Sequence, residues 1–288
     1  MEVQSCIPRM KTDEFLYFME DPKSKARIIE EYKLLFMKKG EEIKSISEQN
    51  KEIEIKGCLS YLQFLYYGPQ SKKNQVILKA SFVDGYDTKH KFLCTKNPEE
   101  EDAENFWQSV WDNDVKIIVM IGKLFEKSYQ YWSSTKCQFV VCGKFKITTR
   151  KVLVCPHLTF TKLNLTSTTL EPKLKRTVFH FQFTDWSKDS LPQPKPFLDF
   201  HYSVHTSYLH LKNKMPNKKA PPILIHCFDG LGGSQLFCAI DICITMFTLT
   251  KIVSVSHVVE RMREQKPGSI NSSEIYALCY QIIKSLIH

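Results

Sequence analysis

The sequence predicts an α/β fold, a single domain with one twisted mixed sheet flanked by helices. Three observations carry that expectation. Short runs of β-branched and aromatic residues alternate with longer segments of helical periodicity. The composition, 43% hydrophobic and 12% aromatic over 288 residues, supports one sizeable core and excludes collagen-like, disordered and repeat chains. Finally, the β-branched run from Ile223, three glycines within four positions and an apolar stretch from Leu236 follow one another directly, which reads as strand, tight loop and helix.

In chain order, residues 24–39 carry helical spacing, with Ile28, Ile29, Tyr32, Leu35 and Phe36 on one side and charges between. Strands are expected at 76–82, 117–121, 138–142, 177–183 and 223–225. Helices are expected at 101–112, 197–211, 236–250 and 273–287. Residues 1–24 read as an N-terminal extension and 25–288 as the domain.

The start of the chain shows no charged segment leading into an apolar one, and the apolar run after Leu236 is broken by Asp241. Neither secretion nor membrane spanning is expected, and a cytosolic or nuclear location is expected instead. Ten cysteines are scattered singly, without CxxC or zinc spacing, so they read as reduced, buried thiols. No metal and no cofactor is expected. Net charge is +9, densest at Lys212, Lys214, Lys218 and Lys219. Those lysines read as a solvated loop, with docking of an acidic partner as the alternative. Nucleic-acid binding is not expected, because no aromatic-basic platform accompanies them.

Chemistry concentrates in His226-Cys227-Phe-Asp-Gly-Leu-Gly-Gly-Ser234. Gly230, Gly232 and Gly233 allow successive backbone N–H groups to turn inward as an anion nest, to which the following helix dipole adds. A cysteine at its rim would be a low-pKa thiolate and a nucleophile. Taken alone, the pattern is more often a packed residue in a strand-to-helix connection.

The wider chain resembles the protein tyrosine phosphatases of the non-receptor class. Their signature is His-Cys, five residues, Arg, then Ser or Thr. Ala80-Ser-Phe-Val-Asp-Gly-Tyr86 is similar to the family's Asn-Ala-Ser-Phe-Ile-Asp-Gly-Tyr, and Asn105-Phe-Trp107 with Val110-Trp111 to its Asp-Phe-Trp and Val-Trp. Ile117 to Met120 with Lys123 to Lys127 resembles its Ile-Val-Met-Leu-Thr-Lys-Leu-Val-Glu-Lys. Gln130-Tyr-Trp132 and His180 to Trp186 follow in the family's order. The similarity runs from about residue 25 to the C-terminus.

The departures fall on chemistry. Gly233 stands where the resemblance puts the Arg that grips the phosphoryl oxygens. Trp186-Ser187-Lys188 stands for Trp-Pro-Asp, whose Asp protonates the leaving oxygen; Asp189 is one position off. Lys56-Gly57-Cys58 stands for the substrate-clamping Asn-Arg-Tyr, so the aromatic wall is lost unless Tyr61 or Tyr66 moves in. Asn271 and Ile275 replace two glutamines that position water, with Ser272 and Tyr276 between and after them in the motif. Loss of a preorganised donor costs about 10²–10³ in rate and loss of a general acid about 10²–10⁴, so turnover should fall by roughly 10⁴ or more.

The expected protein is therefore a pseudophosphatase, with Cys227 a vestigial nucleophile. Gly230, Gly232, Gly233, Ser234 and Lys188 are the residues expected to hold a phosphotyrosine, against which Asp229 places a negative charge. The degenerate, compact chain is most similar to the tyrosine-phosphatase-like proteins of bracoviruses. That resemblance implies delivery into a parasitised insect host, where the location would be the host cell cytoplasm; a monomer is expected. Its partners there would be phosphotyrosine-containing or phosphatase-binding host proteins, and its effect interference with immune-cell signalling. Residual phosphatase activity through Cys227 is the alternative.

Overall fold

A computed structural model describes residues 7–49, 80–124, 128–169, 174–187, 190–215 and 219–288, with the side chains of 37–49 left aside. Among these, residues of 7–49, 83–89 and 235–288 gather into one compact unit and residues of 80–82 and 90–234 into another.

The elements run β1 (Met10–Lys11), α1 (Thr12–Glu20), α2 (Ser24–Gln49), β2 (Ser81–Val83), β3 (Phe92–Lys96), α3 (Ala103–Asp112), β4 (Ile117–Ile121) and β5 (Phe139–Cys142). They continue as β6 (Phe145–Cys155), β7 (Leu158–Ser167), β8 (Lys175–Phe183), α4 (Pro194–Asn213), β9 (Ile223–Cys227), α5 (Gly233–Thr250), β10 (Ile252–Val253), α6 (Val255–Gln265) and α7 (Ser273–Ile287).

The eight-stranded sheet has the order β2-β3-β9-β4-β8-β7-β6-β5. Strands β3, β9, β4 and β8 are parallel, whereas β8, β7, β6 and β5 are antiparallel. Sequence explains the division. Every residue of β4 and β9 is buried, as a parallel strand covered on both faces requires, and both are continuous Ile, Leu, Val and Met runs broken only by His226-Cys227. β6 instead alternates over Phe145 to Thr149, with one face buried, before a bulge at Arg150. The mixed α/β sheet expected from the sequence is present.

Several elements were not foreseen. α1, β3, the β6–β7 ribbon and α6 have no counterpart among the expected elements. α4 starts at Pro194 rather than residue 197, because proline is preset for a first helical turn. The expected strand 76–82 lies largely outside the described residues; only β2 represents it.

In the first unit, α2 presents Ile28, Glu31, Tyr32 and Leu35 inward, and Phe36 is 59% exposed. The expected apolar stripe is thus rotated by a buried carboxylate. Tyr276 and Tyr280 hydroxyls donate to Glu31 Oε2 at 2.7 and 2.6 Å, which gives a buried polar group its hydrogen-bond partners. Phe15 of α1 stacks on Tyr280 at 6.3 Å, and Phe18 lies at the same distance. Arg263 of α6 donates to the carbonyls of Ser269 and Ile270 at 3.0 and 2.8 Å and sits over Tyr32.

Helix α5 is the one helix among the described residues long and apolar enough to cross a membrane, with mean hydropathy 1.4, and it is 72% buried as a core helix. Asp241, which interrupts the run, is itself buried. None of the eight described cysteines is in a disulfide; six are buried, whereas Cys137 and Cys155 are exposed, contrary to the expectation that all would be buried.

The Glu31 site makes a stability test. Glu31→Ala leaves two buried hydroxyls without their shared acceptor and should cost about 2–4 kcal/mol, against about 1 kcal/mol for Tyr280→Phe. Urea denaturation checks both values, and equal costs would show that the carboxylate is not the organising partner.

Candidate functional site

Strand β9 lies in the middle of the sheet, with Cys227 in register with Lys96 of β3 on one side and Ile121 of β4 on the other. The strand ends there, and α5 begins six residues later at Gly233. Between them Gly230 has φ +71°, and a Cβ on it would lie 3.0 Å from Lys96 N and Thr95 O. Both obstacles are backbone, so only glycine fits. Asn97 N donates to Cys227 O at 2.9 Å and holds the root of the loop.

The loop brings together Cys227, Asp229, Gly230, Gly232, Gly233 and Ser234. Cys227 Sγ lies 3.2 Å from Asp229 Oδ1 and 3.2 Å from Ser234 Oγ. The carboxylate is the stronger acceptor, so the single thiol proton goes to Asp229. Burial pushes the Cys227 thiol up to about 11, and the neighbouring Asp229 charge adds to this against the Ser234 hydrogen bonds, which act in the opposite direction. The expected low-pKa thiolate is therefore corrected: at neutral pH the sulfur is a protonated thiol. The rim position assumed from sequence is a buried one, 4% exposed.

Asp229 faces the other way electrostatically. Its side chain is exposed, but Oδ1 accepts from Leu231 N at 2.9 Å and Gly232 N at 3.1 Å as well as from the thiol. Burial opposes its ionisation; these donors together outweigh that and hold the carboxyl below its usual range.

Behind the cysteine, His226 is fully buried and its pKa lies well below the ordinary value, first through burial and then through His180 nearby. A neutral ring fixes the hydrogen-bond directions. His226 Nδ1–H donates to Asn97 Oδ1 at 2.5 Å, and Nε2 accepts from Tyr131 Oη at 2.6 Å. Tyr131 Oη accepts in turn from His180 Nε2 at 2.9 Å, and burial pulls His180 down to about 3. The chain His180, Tyr131, His226, Asn97 anchors the strand end without placing a positive charge there.

At the position of the expected Arg, a side chain would meet Ile121 at once. A Cβ on Gly233 would lie 2.5 Å from Ile121 Cγ2 and 3.5 Å from Trp186 Cε3. The resembling phosphatase motif has Leu where this chain has Ile121; the β-branched residue carries two γ carbons, one of which occupies this point, whereas the single γ carbon of Leu can turn away. Trp186 is held against Phe197 at 6.3 Å, edge to face. Upstream of it, Asp185 pairs with His157 Nδ1 at 2.6 Å, and Thr184 N donates to His157 O at 2.9 Å. Lys188 and Asp189, which follow, lie outside the described residues, as do Lys56, Gly57, Cys58, Tyr61 and Tyr66.

Asn271, Ser272, Ile275 and Tyr276 belong to the other compact unit. There Ser272 caps α7, its Oγ accepting from Ile275 N at 3.2 Å, while Ile275 and Tyr276 are buried. Of the clustered lysines, Lys212, Lys214 and Lys219 are solvent-exposed and Lys218 lies outside the described residues. Sequence reasoning missed Ile121 and the role of Asp229 as an internal acceptor. The Ile-for-Leu exchange was a visible signal for the first, and the Asp-x-x-Gly spacing of an Asx turn for the second.

The raised thiol makes a pH test. Alkylation of Cys227 by iodoacetamide, followed by mass spectrometry, should be slow at pH 7 and rise roughly tenfold per pH unit up to about pH 10, as the thiolate fraction grows. A rate already at plateau near pH 7 would contradict the protonated thiol.

Comparison with known proteins agrees with this layout. The family model described as protein-tyrosine phosphatase matches residues 61–285. "Probable tyrosine phosphatase protein J2" of Microplitis demolitor bracovirus is 29% identical over 97% of this chain and 95% of that protein. "Tyrosine phosphatase-like protein J1" of the same virus is 35% identical over 70% of each chain. The human tyrosine-protein phosphatase non-receptor type 9 is 34% identical over 72% of this chain, which spans 36% of that longer protein. With a family model covering most of its length and a Cys loop that follows a strand set between two parallel neighbours, the chain belongs to the protein-tyrosine phosphatase family.

Proposed function

We propose that this protein is a pseudophosphatase, a phosphatase-like chain that acts by binding rather than by turnover. The observation that carries the reading is at Gly233. No side chain there can clamp a phosphoryl group, and the space such a side chain would leave by is taken by Ile121 Cγ2, 2.5 Å from the Cβ position. The protonated Cys227 thiol, pushed up to about 11, supports the same reading, because the thiolate is the nucleophile. Lys188 in place of the acid-loop Asp supports it from sequence.

Similarity to the bracovirus proteins over nearly the whole chain extends the proposal. As a product of such a virus, the protein works in the cytoplasm of a parasitised insect cell. It competes there for phosphotyrosine ligands or for the protein partners of host phosphatases, as a monomer, and suppresses immune-cell signalling. Weak phosphatase activity through Cys227 is the rival, and Ser234 Oγ at 3.2 Å from the sulfur is the observation that keeps it in play.

Turnover of a phosphotyrosine peptide separates the two. The native chain and Cys227→Ser should be equally silent; native turnover abolished by Cys227→Ser would overturn the pseudophosphatase reading. Gly233→Arg alone should remain silent and lose stability, by about 1–3 kcal/mol for an overpacked site. Adding Ile121→Leu should recover that stability, and equal melting of the single and double variants would show that Ile121 is not the obstacle.

A further inference from the structure

One oxygen atom marks the centre of the Cys loop. Asp229 Oδ1 takes Leu231 N–H, Gly232 N–H and the Cys227 thiol at 2.9, 3.1 and 3.2 Å, so two of the loop's N–H groups and its thiol converge on a carboxylate from within the loop itself. A bound oxyanion would need these same donors and the same approach to the sulfur. The loop therefore holds an anion of its own, covalently attached and always present.

We propose that Asp229 is an internal anion that keeps the nest closed. The native loop does not bind a tetrahedral oxyanion, and it takes one once the carboxylate is removed. The proposal rests on reading the loop as a vestigial phosphatase loop, and it sharpens that function by directing the protein's binding to protein partners rather than to phosphotyrosine groups.

Two features of the site support closure by occupation rather than collapse. The backbone course of the loop is pinned, because Gly230 holds a left-handed conformation against the Lys96 and Thr95 backbone, a position no larger residue could share. No cation in the described loop answers a second anion, since residue 233 is glycine and His226 is neutral. An incoming phosphate must then displace Asp229 and also tolerate its charge nearby. Protonation offers no easy opening: the Asp229 carboxyl lies below its usual range, so the closed state persists throughout the neutral range and weakens only in acid.

Isothermal titration with inorganic phosphate, and then with a phosphotyrosine peptide, tests the proposal on the full chain. Native protein should show no saturable binding at millimolar phosphate. Asp229→Ala should bind it at least tenfold more tightly than the native protein. Asp229→Asn keeps an acceptor for both N–H groups while losing the charge, and should fall between the two; it also serves should the alanine variant fail to fold. In both variants Cys227 should alkylate at least several-fold faster at pH 8, because the carboxylate no longer holds its proton, a change that a merely structural aspartate would not produce. Phosphate binding by the native chain as tight as by Asp229→Ala would overturn the proposal, and so would a folded Asp229→Ala that binds none. Neither outcome depends on turnover, so the pseudophosphatase reading stands or falls separately.

Discussion

The constraint on which the site depends is the termination of β9 in the middle of a parallel sheet. Its neighbours β3 and β4 take up the backbone groups of the strand, and Asn97 N takes the carbonyl of Cys227. The chain then has to reach α5 by way of a residue whose Cβ position is 3.0 Å from backbone atoms of β3. Strand pairing thus fixes where the cysteine stands, and the glycine fixes how the loop leaves it. Both requirements are geometric, and neither needs the loop to perform chemistry.

Electrostatics explain how such a loop holds its backbone course. Inward-pointing N–H groups partly shielded from water cost free energy when they lack an acceptor. In a working phosphatase loop the acceptor is a ligand that comes and goes. Here Asp229 supplies one from within the loop, and its charge adds to burial in raising the Cys227 thiol pKa. His226 is kept neutral by burial and hydrogen-bonded on both ring nitrogens, so it braces the strand end without lowering the thiol pKa by charge.

The sequence made the central architecture legible because its strands are apolar on both faces. β4 and β9 stand out as short runs of Ile, Val, Leu and Met, and α5 as a long one. The β6–β7 ribbon escaped notice because Thr and Lys occupy its solvent face, and half of an exposed antiparallel strand looks polar. α6 escaped because Arg, Glu and Gln fill its outer positions around Val258, Val259 and Met262. Within the site, identity was legible and orientation was not. Asp229 was visible as a charge in the loop, but that its oxygen turns inward follows from the backbone course through Gly230. Ile121 could be named as a departure from the family motif; that its methyl occupies the space of a side chain at Gly233 needed the register of β4 against β9.

Ile121 and Asp229 together give the altered pocket its character. Deleting an arginine from a phosphatase loop would leave a void beside the sulfur and an anion nest without its principal cation. Voids and unpaired donors are each destabilising. Here the Ile121 methyl lies 2.5 Å from the Cβ position of residue 233, Trp186 Cε3 stands at contact distance, and a carboxylate accepts from two of the loop's N–H groups. Under the proposed reading the pocket is repacked rather than merely damaged, and its two fillings reinforce one another. With no cation at residue 233, an external phosphate gains little by displacing Asp229; with Asp229 in place, a cation at 233 would find a partner already present and no need for a substrate. Ligand selection would then pass to surfaces outside the loop, where the loss of catalysis costs a binding protein nothing.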